Sequence, residues 1–236
     1  DLIEALKNVS KLGFIPTMGS LHKGHLSLIQ RAKKECDKTI VSIFVNPTQF
    51  NNKKDYKDYP RDNKKDLLIL KKLRVNFVYI PTKKQIYKTK RTTKVKLDKK
   101  DRILCAKFRK GHFEGVLDIM DRLTNMIKPQ KIYMGEKDLQ QLYLVKKLIE
   151  SKYNSLVVAC KTVRDKNGLA LSSRNVLLNN NELKKAGHLA KSLISFKKKL
   201  LKKRNIDKQI QIKKNYLENI YNINIEYLEI RNKINL

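Results

Sequence analysis

Two histidines, His22 and His25, stand three residues apart in the run Met18-Gly19-Ser20-Leu21-His22-Lys23-Gly24-His25. A short apolar stretch, Gly13-Phe14-Ile15, precedes them and an amphipathic run follows. The pair therefore opens a helix at the end of a strand. At i and i+3 both imidazoles share one helix face. Free backbone N–H groups and the macrodipole favour an anion at such a helix start. Gly19 and Gly24 have no Cβ and let the backbone come close to a ligand. The arrangement suits a nucleoside triphosphate. Backbone groups bind phosphate oxygens, and the imidazoles meet the charge that develops on the α-phosphate.

Further polar groups sit where other strands are expected to end. Asn46 and Gln49 follow the β-branched run Thr39–Val45, with Pro47 fixing the turn. Neutral amides suit a site that must orient a hydroxyl and a carboxylate. Gly135-Glu136-Lys137-Asp138 follows the strand Lys131–Met134 and opens another helix. Asp138 is a candidate N-cap there, and Lys137 can meet phosphate as a point charge. Arg174, in the loop Ser172-Ser173-Arg174, can fork onto phosphate oxygens. His112 reads as a packed or loop histidine and His188 as a structural residue in mid-helix. No cluster of His, Cys, Asp or Glu has metal-cage spacing, so no metal ligand is assigned to the chain.

The elements that must position these groups alternate. Strands are expected at Gly13–Pro16, Thr39–Val45, Asn76–Ile80, Lys131–Met134 and Leu156–Val163. A further short edge strand is expected at Thr92–Leu97. Helices are expected at His25–Cys36, Asp62–Leu73, Glu114–Lys128 and Leu139–Glu150, with Asn46–Tyr59 as a polar loop. Val116, Ile119, Met120, Leu123 and Ile127 fall on one side of the third helix. This order predicts an α/β fold, a Rossmann-type parallel sheet with helices on both faces. Ligands in such sheets bind beyond the carboxyl ends of the strands. After Val163 the texture changes. Asp165-Lys166-Asn167-Gly168 is a turn signal, two lysine-rich helices follow near Asn181–Lys203 and Asp207–Tyr221, and the alternating run Ile223–Ile230 reads as a strand. The expected division is 1–162, a nucleotide-binding and catalytic domain, and 163–236, a smaller α+β C-terminal lid domain.

Composition narrows the function classes. The 236 residues carry a formal charge of +32, which at first sight points to nucleic acid. Yet 43 of the cations are lysine and 11 arginine, and the lysines run along the whole chain. Arginine supplies most bidentate base and phosphate recognition, and a binding patch should be local. A residue-usage bias toward Lys, Asn and Ile accounts for the charge, and no nucleic-acid partner is expected. Cys36, Cys105 and Cys160 are few, odd in number and widely spaced, which fits free thiols in a reducing compartment. No apolar run is long enough to span a membrane and no signal peptide is visible. A cytoplasmic protein without a membrane partner is expected.

The run from Pro16 to His25 resembles the signature of the pantoate–β-alanine ligase (pantothenate synthetase) family. Four further runs resemble that family in order: Phe44–Phe50, Gly111–Val116, Gly135–Leu142 and Asp165–Asn175. The likeness runs from near the start to about residue 180. It implies that pantoate attacks the α-phosphate of ATP to give pantoyl adenylate and pyrophosphate. β-Alanine then displaces AMP to give pantothenate. It implies Mg²⁺ arriving with ATP and held mainly by phosphates, no tightly bound organic cofactor, and a homodimer. By this resemblance His25 and His22, with Lys137, are catalytic. Met18, Gly19, Ser20, Leu21, His22, Lys23, Gly24, His25, Gly135, Glu136, Lys137 and Asp138 line the ATP site, with Val163, Leu171, Ser172, Ser173 and Arg174. Gln49, Gln141 and Asn46 bind pantoate and β-alanine.

Departures from the family pattern are Thr48 for Met, Leu139 for an aromatic and Lys110 for Pro. The C-terminal domain reads as truncated against the family, either reduced or incomplete. Two rival classes remain at this stage. One is another HxGH nucleotidyltransferase acting on a phosphorylated acceptor, for which the neutral Asn46, Gln49 and Gln141 are poorly suited. The other is a basic nucleic-acid-binding protein.

Overall fold

The structure is a computed structural model and describes residues 2–88, 95–200, 205–232 and 236. Its centre is a five-stranded sheet of β1 (Leu12–Thr17), β2 (Lys38–Ile43), β3 (Phe77–Tyr79), β4 (Lys131–Gly135) and β5 (Leu156–Cys160). The order is β3-β2-β1-β4-β5, and every pairing is parallel. Register explains the apolar runs of the sequence. Phe14 pairs with Ile40 and with Ile132, and Ile132 pairs with Val157. That row points to one face, and the next residues along, Ile15, Val41, Tyr133 and Val158, point to the other. Both faces are therefore apolar and both need cover.

The helices supply it. They are α1 (Leu2–Leu6), α2 (Lys23–Glu35), α3 (Lys53–Asp58), α4 (Asn63–Lys72), α5 (Lys83–Ile86), α6 (Cys105–Phe108), α7 (His112–Ile127) and α8 (Leu139–Lys152). On the Phe14 face, α7 buries Val116, Ile119, Met120, Leu123 and Ile127, and α8 buries Leu142, Val145 and Ile149. On the Ile15 face, α2 brings Leu28, Ile29 and Ala32, and α4 brings Leu70. The fold is the α/β class expected from the sequence.

The chain divides into two compact units, Asp1–Thr162 and Val163–Leu236. In the second, α9 (Asn180–Leu200) packs with α10 (Ile206–Tyr221). Lys213 Nζ donates to Ser192 Oγ at 2.7 Å, and Leu200 and Leu217 are fully buried. The expected turn forms: Asp165 Oδ1 accepts from Asn167 N and Leu169 N, and Gly168 takes φ +83°.

Four expectations change. Asn46–Tyr59 is not a plain loop, for it contains a 3₁₀ turn at Pro47–Gln49 and the helix α3. End capping makes α3 where hydrophobic periodicity is lacking. Asn52 accepts from Lys54 N at 2.7 Å, and Arg61 donates to the carbonyls of Tyr56, Lys57 and Tyr59. Ile223–Ile230 forms no strand, because the described residues of its unit offer no strand to pair with. Of Thr92–Leu97, residues 92–94 lie outside the described residues and Val95–Leu97 is not a strand. β5 ends at Cys160, short of Val163.

Helix α7 meets the turn after β2 backbone to backbone at Gly115. A Cβ added there would lie 2.5 Å from Thr48 O, 2.7 Å from Thr48 C and 2.8 Å from Gln49 N. Neither backbone can yield as a flexible side chain would. Gly115→Ala should therefore destabilise the protein by about 1–3 kcal/mol, the usual cost of overpacking. A urea titration gives the number, and wild-type stability would mean that the two backbones are not tightly apposed.

Candidate active site

The turn leaving β1 is held from below. Thr17 Oγ1 donates to Ser42 O at 2.7 Å and accepts from Gly19 N at 3.2 Å. Gly19 and Ser20 then take φ +78° and +51°, which reverses the chain. Asp66 of α4 closes the turn: its Oδ2 accepts from Ser20 N and its Oδ1 from Leu21 N, both at 2.8 Å. This carboxylate is 1% exposed, and two charge-assisted bonds offset its loss of water. Ser20 and Leu21 were expected to line the ATP site. Their amides are bound by Asp66, and the Leu21 side chain lies in the core of the Ile15 face.

The imidazoles cap the helix they open. His22 is the N-cap of α2, and its Nδ1 accepts from Gly24 N at 3.1 Å. His25 Nδ1 accepts from His22 N at 3.3 Å, and the ring centroids are 4.1 Å apart. A neutral imidazole that accepts at Nδ1 carries its proton on Nε2. The backbone hydrogen bonds thus assign both rings the Nε2–H tautomer. The first helical turn does not offer the His22 and Gly24 amides to a ligand. It spends them on orienting two imidazole donors.

Lys137, in the 3₁₀ turn Glu136–Asp138 between β4 and α8, is close enough to act on both rings. Burial first, and then the Lys137 charge, lowers His22 below the usual histidine range. Burial first, then repulsion from His22 when that ring is also protonated, then the Lys137 charge, hold His25 down to about 3. Both rings are therefore neutral donors at pH 7. Lys137 Nζ donates to Asp138 Oδ1 at 3.1 Å. Asp138 makes no side-chain cap for α8, contrary to its sequence reading.

Gln49 enters from the turn after β2. Its Nε2 donates to Met18 Sδ at 3.3 Å, which links it to the turn after β1. Its backbone carbonyl oxygen accepts from His112 Nδ1 at 2.6 Å. A carbonyl only accepts, so His112 carries a proton on Nδ1. His112 is buried, as a packed histidine should be, and its place is beneath Gln49. The run Gly111–Val116 is thereby the seat of the run Phe44–Phe50. Asn46, expected at pantoate and β-alanine, has its amide bonded within the protein. It is 1% exposed, and its Nδ2 donates to Gln49 Oε1 and to Gly115 O. Its Oδ1 accepts from Thr48 N, Thr48 Oγ1 and Tyr87 Oη.

Gln141 is half-buried in the first turn of α8. Met18, Gly24, Gly135 and Glu136 are not fully exposed, whereas Lys23, Lys137 and Asp138 are open to solvent. Val163, Leu171, Ser172, Ser173 and Arg174 belong to the second unit. There Leu171 N donates to Val163 O at 3.0 Å, and Ser172 Oγ accepts from Arg174 N at 3.2 Å. Sequence reading missed Asp66 and Tyr87. Asp66 left a signal, for a carboxylate four residues before the buried Leu70 lies on the inward stripe of α4.

An α/β sheet whose strand ends gather two neutral imidazoles, a lysine and an oriented amide belongs to an enzyme that handles anionic substrates. Residues 1–236 match the model of the pantoate-beta-alanine ligase family. The pantothenate synthetase of Thermosipho africanus is 41% identical, across 99% of this chain and 84% of that protein. That of Pseudothermotoga lettingae is 40% identical, across 95% and 81%. The crystal structure of pantothenate synthetase from Thermus thermophilus superposes with a TM-score of 0.91 at 33% identity, covering 100% of this chain and 87% of that one. The pantoate-beta-alanine ligase of Francisella tularensis, complexed with beta-gamma ATP and beta-alanine, superposes at 0.86 with 36% identity, covering 98% and 87%. The chain belongs to the pantoate–β-alanine ligase family and is a pantothenate-forming ligase.

Asp66 gives the test of this geometry. An amide in its place offers one acceptor oxygen and turns an NH₂ toward the other backbone N–H. A buried donor left without an acceptor costs about 1–3 kcal/mol. Asp66→Asn should lower the unfolding free energy by about that much. A change under about 0.5 kcal/mol, ordinary for a surface substitution, would show that the carboxylate does not hold the turn.

Proposed function

We propose that ATP, pantoate and β-alanine meet at the carboxyl ends of β1, β2 and β4, where His22, His25, Lys137 and Gln49 converge. The observation that carries this reading is the pair of Nε2–H donors fixed by the reciprocal capping of α2. The Francisella tularensis relative, solved with beta-gamma ATP and beta-alanine, supports the choice of nucleotide and amine.

The first step joins a carboxylate oxygen of pantoate to the α-phosphorus and breaks the bond to the bridging oxygen, releasing pyrophosphate. Negative charge gathers on the non-bridging and leaving oxygens. The Nε2–H groups of His22 and His25 and the Lys137 ammonium stabilise it there. Neutral imidazoles donate without needing to take up a proton first. In the second step the unprotonated amine of β-alanine attacks the acyl carbon, the bond from that carbon to the AMP oxygen breaks, AMP leaves, and the proton lost by the amine goes to solvent. Gln49 and Gln141 orient pantoate, and Gln49 then orients the amine. His25 and His22, with Lys137, are the catalytic residues of this reading. Met18, Gly19, Gly24, Gly135, Glu136 and Asp138 line the nucleotide. Val163, Leu171, Ser172, Ser173 and Arg174 are kept as nucleotide contacts on the strength of the resemblance. We read 1–162 as the catalytic domain and the protein as a cytoplasmic homodimer. Mg²⁺ enters as the ion carried by ATP. Among the described residues no group of three or more His, Cys, Asp or Glu is arranged to hold a metal, and phosphate oxygens suit Mg²⁺ better than a protein cage.

Measuring the half-reactions separately tests the roles. Removing one preorganised donor costs on the order of 10²–10³ in rate. His25→Ala should therefore depress pyrophosphate release by about that factor, while pantoyl adenylate supplied from outside still reacts with β-alanine. Gln49→Ala should slow both halves, since orientation serves both. Normal adenylation in His25→Ala, or an untouched second step in Gln49→Ala, would reverse these assignments.

A further inference from the structure

The hydrogen bonds around Asn46 have a direction. Tyr87, just after α5, donates from Oη to Asn46 Oδ1 at 2.7 Å. Thr48 N and Oγ1 approach the same atom at 3.3 and 3.0 Å. An amide atom that faces a backbone N–H is the oxygen, because an NH₂ has nothing to accept with. The amide nitrogen of Asn46 must then face Gly115 O at 3.1 Å and the Gln49 amide at 3.2 Å. Only the Gln49 oxygen can accept from it. The Gln49 NH₂ is thereby forced to the far side, beside Met18 Sδ at 3.3 Å. A thioether is a weak acceptor, so these N–H groups are readily given up to a carboxylate or hydroxyl oxygen.

We propose that Tyr87 is a positioning residue that, together with Thr48 N and Gly115 O, holds the Asn46 amide and through it fixes the polarity of the Gln49 amide, so that Gln49 meets pantoate as a hydrogen-bond donor. This rests on the reading that Gln49 contacts pantoate. The placement of Tyr87 is itself built by α7. The Arg122 guanidinium lies 4.8 Å from the centre of the Tyr87 ring. Arg122 also donates to Ile86 O at 3.2 Å and to Asp118 Oδ2 at 3.0 Å. The same helix presents Gly115 O to Asn46. A flipped Gln49 amide would set NH₂ against NH₂ and lose the bond to Asn46. It would also show pantoate an oxygen where a donor is needed. Polarity at Gln49 thus selects an anionic or hydroxylated partner without any charge in the selecting residue.

The test compares Tyr87→Phe, Asn46→Asp and Gln49→Ala in the enzyme, measuring KM for pantoate and for ATP, kcat and the thermal midpoint. Tyr87→Phe keeps the ring and removes one donor of three, so KM for pantoate should rise about tenfold, with KM for ATP and the midpoint unchanged. Asn46→Asp replaces the amide nitrogen by an acceptor, turns the Gln49 NH₂ inward, and should raise KM for pantoate further. Gln49→Ala is the reference. If it raises KM for pantoate while the other two variants do not, the relay is wrong and the Gln49 reading stands. If Gln49→Ala leaves KM for pantoate at the wild-type value, the Gln49 reading fails and the relay fails with it. Equal rises in both KM values, or a lowered midpoint in Tyr87→Phe, would make Tyr87 structural and overturn the proposal.

Discussion

Strand order reverses at β1, and the placement of the site depends on that reversal. β1 pairs on one side with β2, which follows it in the chain, and on the other with β4, which comes much later. The helix after β1 covers the Ile15 face, and the helix before β4 covers the Phe14 face. Where two neighbouring strands send their chains to opposite faces, no loop crosses the gap between their carboxyl ends. The turns after β1, β2 and β4 line that opening, and they carry His22 and His25, Gln49, and Lys137 respectively. Parallel pairing makes this possible, because it puts all three carboxyl ends on one edge of the sheet.

Within that opening, backbone and side-chain bonds underneath fix what each group offers to a ligand. Asp66 takes the amides of Ser20 and Leu21, which keeps the turn in its left-handed form. His22 and His25 take amides at Nδ1, which leaves Nε2–H as the remaining donor. Asn46 is saturated so that Gln49 cannot flip. In each case a buried polar group is satisfied by the protein, and its partner is thereby oriented. Leaving any of these donors or acceptors alone in the interior would cost more than a typical hydrogen bond contributes, so each orientation is held against thermal flipping.

The sheet, its principal helices and the strand-end motifs were legible because they follow local rules. β-branched runs bounded by turn residues made β2 and β5 visible, and the apolar stripe made α7 visible. The run Met18–His25 could be placed because Gly19 and the amphipathic helix behind it fix the chain locally. What was hidden depended on distant partners. Asp66 contacts a turn more than forty residues earlier in the chain, and nothing local to α4 names that partner. The hydrogen bonds that saturate Asn46 were hidden because they come from Gly115 and Tyr87, both far along the chain. α3 was missed because capping by Asn52 and Arg61, and no apolar stripe, makes it. Ile223–Ile230 alternates like a strand, yet alternation records a possible face and not the presence of a neighbour.

The central claim is that both histidines work as neutral Nε2–H donors, and nitrogen NMR of the imidazole rings tests it directly. At pH 7, His22 and His25 should each show an unprotonated Nδ1 and a protonated Nε2. On acidification His25 should stay neutral until the pH nears about 3, far below the ordinary histidine value of about 6.5. Stability is linked to the same proton. The unfolded chain takes it up first, so the contribution is fully present above about pH 6.5 and is lost as pH falls toward 3. A His25 ring that titrates near 6.5, or that carries its proton on Nδ1 at pH 7, would contradict the account.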